Sequence, residues 1–324
     1  MSGRAGGLVS TSLASVREVS CAASGSDAAL YCAAIEETFP ELAIETIEAE
    51  GEGWDSVAWT VNGQYVFRFP KRDDVVPWLE REIALLPELA PTLPLPVPRF
   101  SHVCIRASIW PRPFVGYRRL AGQPLLDPPM LARAWPHLAD QLGSFLAALH
   151  AFPVARAAAL GIPCHDPPAW RRAHEHLWRQ IQAAVCPLLT ALERRMVAAF
   201  FDRFLALLEV ADFRPVLVHG DLNEEHALMD AEASRIVGVI DFGDMRLADA
   251  AVDFGQLPEL FSRRMLQSYR SHQGPAEDDE TFLARARCYG RLEAFRGVLM
   301  GRELGDRALL SSSLATLRRQ LSEP

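Results

Sequence analysis

Two short apolar segments that each end in a carboxylate constrain this chain more than any other part of its sequence. PVLVHG leads into Asp221, RIVGVI leads into Asp241, and His226 stands between the two carboxylates. If both segments are strands, we expect the carboxylates and the imidazole to converge at one sheet edge. Mg²⁺ prefers oxygen ligands and is usually held by one or two carboxylates together with substrate phosphates. A further carboxylate can accept a proton from an attacking hydroxyl, so this segment predicts phosphoryl transfer.

Each of these pieces taken alone also has an ordinary structural explanation. A lone HGD is equally typical of a turn with a capping aspartate, DFG is common by chance, and a single histidine beside a strand is more often a hydrogen-bonded structural residue. The ordered pattern is much rarer: a strand, HGDL, His226, a second strand, IDFGD and then DFGQL. This order favours a functional site over the separate structural explanations.

Composition and charge exclude several classes of protein. The 324 residues are 49% hydrophobic and carry a formal net charge of -8, from 33 Lys and Arg against 41 Asp and Glu. Nucleic-acid binders normally have a basic surface, so we expect no nucleic-acid partner; an acidic balance suits cationic small molecules better. The six cysteines are scattered without a CxxC pair, which argues against a zinc site and against a disulfide scaffold.

The N-terminal residues and the absence of long apolar runs bear on location. Residues 1–26 are rich in small side chains and lack the compact apolar block of a secretory signal, so we expect a flexible leader. No run approaches the ~18 apolar residues of a membrane-spanning helix. We therefore expect a cytoplasmic monomer with no membrane partner.

The rest of the sequence predicts an α+β protein with two lobes. Residues 27–117 contain two helical segments and several β-rich segments, with a hairpin signal at Asn62–Gly63. Residues 118–324 are mainly helical, apart from the short strands and turns of residues 215–243. Ligands commonly bind where two such lobes meet.

A family resemblance rests on the two motifs of the helical lobe. HGDLNEEHALMD followed by GVIDFGDMRLADAAVDFGQL closely resembles the antibiotic phosphotransferases, the aminoglycoside and macrolide kinases. The resemblance extends from about residue 44 to the C-terminus. It implies the protein-kinase-like fold, with residues 27–117 as the nucleotide-binding lobe and residues 118–324 as the lobe that carries the catalytic loop and the acceptor site.

The resemblance also implies roles for residues of the helical lobe. Asp221 would be the catalytic base, and Asp241 would hold the magnesium ions that bridge the nucleotide phosphates. Many members carry asparagine at the position of His226, whereas aminoglycoside 2''- and macrolide 2'-phosphotransferases are similar to this chain in having histidine there, so His226 is a second candidate metal ligand. Asp249 and Asp253 are interpreted as residues that cap a helix and tie down the catalytic loop.

The N-terminal lobe offers the remaining nucleotide-site candidates. In GEGWDSVAW, Gly51 and Gly53 resemble the nucleotide loop, where glycine lets the backbone approach phosphates without a Cβ clash, although GEG is equally a plain hairpin turn. Arg68 occupies the family position of the phosphate-pairing cation, and Lys71 is a competing candidate. Glu82 aligns with the helix carboxylate that pairs with that cation.

The acceptor site is less clearly marked in the sequence. Aminoglycosides carry several ammonium groups, and binding them requires carboxylates in the pocket. Each candidate acid is also an ordinary solvated surface residue, and the acidic run 277–280 is typical of a helix N-terminus. The candidates for acceptor binding are Glu224, Glu225, Asp244, Glu259 and Glu293.

The primary hypothesis is a magnesium-dependent kinase that transfers the γ-phosphate of ATP or GTP to a hydroxyl of an aminoglycoside antibiotic. A macrolide 2'-phosphotransferase is the main alternative, and a metabolic kinase that acts on a sugar or an amino alcohol is another. A nucleotide-binding scaffold without catalysis is the non-enzyme alternative. The presence of both Asp221 and Asp241 argues against the scaffold, because no structural requirement calls for both.

Overall fold

The computed structural model describes residues 26–125, 128–232, 234–274 and 277–322. The predicted leader, residues 1–26, therefore lies outside the described residues except for its last position. No helix in these four ranges has both the length and the apolar character that crossing a membrane requires.

The N-terminal lobe is a five-stranded antiparallel sheet with one helix before it and one inserted into it. The strand order is β1-β2-β3-β5-β4. At the predicted hairpin, Asn62 and Gly63 both have positive φ, 53° and 63°, as a tight turn between β2 and β3 requires. The elements are α1 (Ser26–Thr38), β1 (Ile47–Glu52), β2 (Ser56–Val61), β3 (Tyr65–Pro70), α2 (Val76–Leu89), β4 (Phe100–Cys104) and β5 (Phe114–Arg118).

The larger C-terminal lobe is mainly helical, and its hydrophobic core continues into the N-terminal lobe through Leu85, Leu86 and Leu89 of α2. Asp278 caps the N-terminus of α8 by accepting from the Thr281 amide at 2.9 Å, which agrees with the interpretation of the acidic run 277–280. The elements are β6 (Gln123–Pro124), α3 (Pro128–His150), α4 (Val154–Ala159), α5 (Pro167–Ala184), α6 (Ala191–Val210), β7 (Val216–Val218), β8 (Ala227–Met229), β9 (Ile236–Val239), β10 (Arg246–Ala248), α7 (Glu259–Gln273), α8 (Asp279–Glu303) and α9 (Arg307–Ser322).

The short strands that carry the two motifs belong to different small sheets. β7 pairs with β10, whereas β9 pairs with β8 in the sheet β6-β8-β9. The expectation that β7 and β9 end at one sheet edge is therefore wrong, because β9 forms a hairpin with the strand just before it. The two strand ends still meet. His219 Nε2 donates to the Ile240 carbonyl at 3.0 Å, and the Ile240 amide donates to the His226 carbonyl at 2.9 Å.

Candidate active site

The loop after β7 is held in place by hydrogen bonds to a buried carboxylate. Asp253 accepts from the amides of His219 and Gly220, both at 2.8 Å, and lies 3.0 Å from His150 Nε2. Burial alone raises the pKa of Asp253, but its hydrogen bonds and the neighbouring histidines outweigh this and lower it. Gly220 has φ +88°, and a Cβ there would lie 2.3 Å from the Asp244 carbonyl oxygen. The loop is thus held in one conformation that only glycine fits.

Asp221 ends this loop with its carboxylate partly open to solvent. Its Oδ1 accepts from Gln256 Nε2 at 2.7 Å, and its Oδ2 lies 3.5 Å from His226 Nδ1. Burial raises the pKa of Asp221, and His226 and Gln256 oppose that effect without cancelling it. Because Gln256 occupies Oδ1, the Oδ2 atom is the better placed of the two to take a proton from a bound hydroxyl.

Asp241 lies two residues beyond the end of β9 and has a positive φ of 64°, a strained angle for a residue with a side chain. Its Oδ1 lies 3.4 Å from Arg68 Nη2, and its Oδ2 lies 3.6 Å from His226 Nε2. Burial alone raises the pKa of Asp241, but the nearby Arg68 and His226 outweigh it and lower the pKa. The carboxylate is therefore ionised at neutral pH, and 47% of its side-chain surface is exposed.

His226 is oriented so that one ring nitrogen faces Asp241. Its Nδ1 lies 2.6 Å from the Asp221 carbonyl oxygen, which can only accept, so Nδ1 carries the proton. In the neutral ring, Nε2 then keeps a lone pair on the side of Asp241. Asp241 and His226 can together hold a cation that also takes phosphate oxygens. No group of three or more His, Cys, Asp or Glu in the described ranges is placed to hold a metal.

Arg68 and Glu82 form a buried ion pair between β3 and α2. Arg68 Nη1 lies 2.8 Å and Nη2 lies 3.3 Å from the two Glu82 oxygens, so the contact uses the planar fork of the guanidinium. Only 2% of the Glu82 side chain is exposed. Burial raises the pKa of Glu82, and the adjacent Arg68 opposes that effect. Since Arg68 also contacts Asp241, one cation links the two lobes at the candidate phosphate site.

Of the two predicted glycines, Gly51 lies in β1 and Gly53 in the loop after it, which is held by two residues that follow β3. Lys71 Nζ donates to the Gly53 carbonyl at 2.7 Å, and Arg72 Nη1 donates to the Trp54 carbonyl at 2.9 Å. A Cβ on Gly51 would meet nothing within 4 Å, and one on Gly53 would make an ordinary contact. Packing within the protein therefore does not require glycine at either position. The space next to the loop is open to a ligand. Lys71, the competing candidate for phosphate pairing, directly follows β3 and extends its side chain to this loop.

The candidate acceptor carboxylates divide into three groups. Asp244 and Glu293 face the region of Asp221, and each is paired with an arginine: Asp244 Oδ1 with Arg246 at 2.7 Å, and Glu293 with Arg296. Glu259 is paired with Arg263 and Arg287 at the start of α7. Glu224 and Glu225 lie in the turn after the catalytic loop, and burial followed by the charge of Glu225 raises the pKa of Glu224.

A narrow cavity of about 10 Å³, with room for about one water molecule, lies beside the catalytic loop. Its walls come from α5, from the segments around β10 and from α8, which are far apart in the sequence. Several of these residues are not marked by any motif, and sequence reasoning missed them. The lining residues include Trp170, Gly220, Arg246, Gln256, Tyr289, Glu293 and Arg296.

Comparison with known proteins agrees with this geometry. The family model described as "Phosphotransferase enzyme family" (APH) matches residues 46–295, well over half of the chain. The chain belongs to the APH phosphotransferase family. Its resemblance to antibiotic phosphotransferases and its assignment as a phosphotransferase enzyme are thereby confirmed.

Solved structures extend the match to the fold of this APH protein. The GDP and kanamycin complex of APH(2'')-IIIa has a TM-score of 0.79 and 29% identity, covering 89% of this chain and 97% of that one. The GDP complex of a wild-type aminoglycoside 2'-phosphotransferase-IIIa has a TM-score of 0.82 and 29% identity, covering 91% and 99%. The apoenzyme of a macrolide 2'-phosphotransferase from Brachybacterium faecium has a TM-score of 0.64 and 25% identity, covering 90% and 98%. The predicted kinase-like fold is confirmed.

Three residues of the candidate site were not among the sequence candidates. Gln256 follows DFG in the motif DFGQL, but only the structure shows its contact with Asp221. Arg296 had one available signal, its spacing of three residues from Glu293 on a helix, which is the spacing of an ion pair. Trp170 had no such signal, because its helix lies about fifty residues before the catalytic loop.

Proposed function

We propose that this APH protein transfers the γ-phosphate of a nucleoside triphosphate to a hydroxyl of an aminoglycoside. The observation that carries the proposal is the convergence of Asp221, His226, Asp241 and the Arg68–Glu82 pair within one network of contacts. Neighbours at 29% identity were solved with GDP, and one of them also with kanamycin. These complexes favour GTP as the donor and an aminoglycoside as the acceptor.

The proposed reaction assigns each residue one task. The acceptor oxygen forms a bond to the γ-phosphorus while the bond from that phosphorus to the β,γ-bridging oxygen breaks, and the hydroxyl proton passes to Asp221 Oδ2. Arg68, held by Glu82, pairs with the nucleotide phosphates. Asp241 and His226 would hold Mg²⁺, which neutralises phosphate charge when it is bound. Gly51 and Gly53 would leave room for the phosphates between lobe 27–117 and lobe 118–324.

The acceptor side gives specific support to a second candidate. A polycationic aminoglycoside needs carboxylates that are free to pair with it, but Asp244 and Glu293 already pair with Arg246 and Arg296. A macrolide carries a single amine and needs fewer such groups. Pre-paired carboxylates beside Trp170 and Tyr289 therefore favour a macrolide 2'-phosphotransferase as the alternative.

A matrix of phosphate-transfer assays tests both candidates. The purified chain with Mg²⁺ is assayed with ATP or GTP against kanamycin-type aminoglycosides, hygromycin, erythromycin and no acceptor, beside Asp221→Asn as the inactive control. We expect GTP-dependent transfer to a kanamycin-type acceptor that is lost in Asp221→Asn. Transfer to erythromycin alone would establish the alternative. Nucleotide binding with no antibiotic turnover would contradict both and point to a metabolic acceptor.

A further inference from the structure

An indole at the tip of the segment between β1 and β2 reaches across to the C-terminal lobe. Trp54 Cη2 lies 3.4 Å from the position that a Cβ on Gly297 would occupy. The same Cβ would lie 2.3 Å from Ser313 Oγ on α9, so glycine is required where α8, α9 and the indole meet. The tip of the candidate nucleotide loop is thus in contact with a helix of the other lobe.

The backbone beneath this indole is held by two basic residues that follow β3. Lys71 and Arg72 donate to the carbonyls of Gly53 and Trp54, as described above, and Arg72 Nη2 also pairs with Asp55 at 2.8 Å. Three consecutive residues of the loop are therefore tied to one strand end. This anchoring gives the indole a defined position and lowers the entropy lost when a ligand binds to it.

The contact on α8 lies next to the pocket beside Asp221. Gly297 directly follows Arg296 and lies one helical turn, about 6 Å along the axis, beyond Glu293; both of these residues line that pocket. Despite its contact with α8, Trp54 is 44% exposed. A large aromatic surface is therefore available about one helical turn from Glu293, on the side of the N-terminal lobe.

We propose that Trp54 is the roof of the acceptor site and packs against the apolar C–H face of a sugar ring of the acceptor. The inference rests on the proposed function, in which a glycosidic acceptor binds beside Asp221. An indole offers a large contact area with only two side-chain torsions to fix, which makes it effective for binding a ring without a charge pair. This contact would supply acceptor affinity where Asp244 and Glu293 are already paired with arginines.

Steady-state kinetics with the acceptor found in the transfer assay test the roof directly. We expect Trp54→Ala to raise the acceptor KM about tenfold, the size expected for losing the burial of one large apolar side chain, with the nucleotide KM unchanged. Trp54→Phe should recover most of the affinity. Ile105→Ala, an exposed apolar residue just after β4, is the matched control. An unchanged acceptor KM in Trp54→Ala, or Phe performing no better than Ala, would overturn the roof.

Nucleotide hydrolysis without an acceptor separates this inference from the proposed function. A roof excludes water from the site, so we expect Trp54→Ala to increase acceptor-free hydrolysis of GTP or ATP several-fold, and Ile105→Ala to leave it unchanged. If the wild-type protein hydrolyses nucleotide but phosphorylates no antibiotic, the proposal of an aminoglycoside acceptor is wrong. The role of Trp54 as a roof is then tested by the hydrolysis rates alone. Equal hydrolysis by wild type and Trp54→Ala in that case would contradict the roof.

Discussion

The phosphate side and the acceptor side of the cleft are built on different principles. On the phosphate side, Arg68, Glu82 and Asp241 form one continuous network in which the cation is shared between two carboxylates. On the acceptor side, Asp244 and Glu293 are each paired with a separate arginine, and Trp170 and Tyr289 line the same cavity as Glu293. The first arrangement leaves the Arg68 guanidinium able to pair with phosphate. In the second, the arginines neutralise the carboxylates that would attract a polycation.

This difference indicates which part of such a site tolerates amino-acid substitution. Phosphate and metal chemistry demand donors at set positions, so they come from two short motifs and one ion pair. In the proposed function, acceptor recognition tolerates many solutions and would draw on side chains from distant helices, such as Arg296 on α8. The four changes below test this contrast, from the largest expected effect to the smallest.

Removing the base has the largest expected effect. In Asp221→Asn the side chain keeps its shape, but it can no longer take the hydroxyl proton, and we expect kcat to fall by about 10²–10⁴. Nucleotide affinity measured by calorimetry should stay within about twofold, because Asp221 does not contact Arg68 or Glu82 in the described residues. A kcat close to that of the wild type would remove Asp221 as the base.

Breaking the buried pair on the phosphate side comes next. Glu82→Gln keeps the volume of the side chain but removes the charge that fixes the Arg68 fork, so we expect the nucleotide KM to rise about tenfold. Glu80→Gln is the matched control, because Glu80 is exposed two positions earlier on the same helix. Equal nucleotide kinetics in the two variants would show that the pair serves stability alone.

The contact between Gln256 and Asp221 predicts a shift in the pH profile. The Gln256 amide stabilises the ionised carboxylate and lowers its pKa, so removing it in Gln256→Leu should raise the pKa of Asp221. Because the base must be ionised, the acidic limb of kcat against pH should move to higher pH. Gln256→Glu should move it in the same direction through like-charge repulsion. Gln273→Leu, whose amide bonds the Ala147 carbonyl far from the site, should leave the limb in place.

The smallest expected effect lies on the acceptor side. Arg296→Ala frees the carboxylate of Glu293, so we expect the KM for polycationic acceptors to fall about three- to fivefold, as for one partly exposed ion pair, with the nucleotide KM unchanged. Arg156→Ala, which removes an exposed arginine paired with Glu88 on the surface, is the control. An unchanged KM for polycationic acceptors would show that the pairing of Glu293 with Arg296 does not limit their binding.

The organisation of the two lobes was predictable because it depends on local patterns. The hairpin at Asn62–Gly63 and the capped N-terminus of α8 agree with their sequence signals. Asp253 holds the backbone of His219 and Gly220, as its motif had suggested. The pairing of the short strands was harder to predict from the sequence. In the structure, β9 pairs with β8 and β7 pairs with β10. Periodicity predicts that a segment is a strand, but the partner of a three-residue strand depends on the packing around it.

The sequence by itself determined the chemistry of this protein: the order of Asp221, His226 and Asp241 along the chain was enough to predict a phosphotransferase. Only the tertiary structure decided which side chains surround those residues. Gln256 on Asp221, the arginines on Asp244 and Glu293, and Trp54 against Gly297 join positions 2 to 243 residues apart. The physical reason is that motif residues lie near one another along the chain, whereas the walls of a pocket are set by how helices and lobes pack.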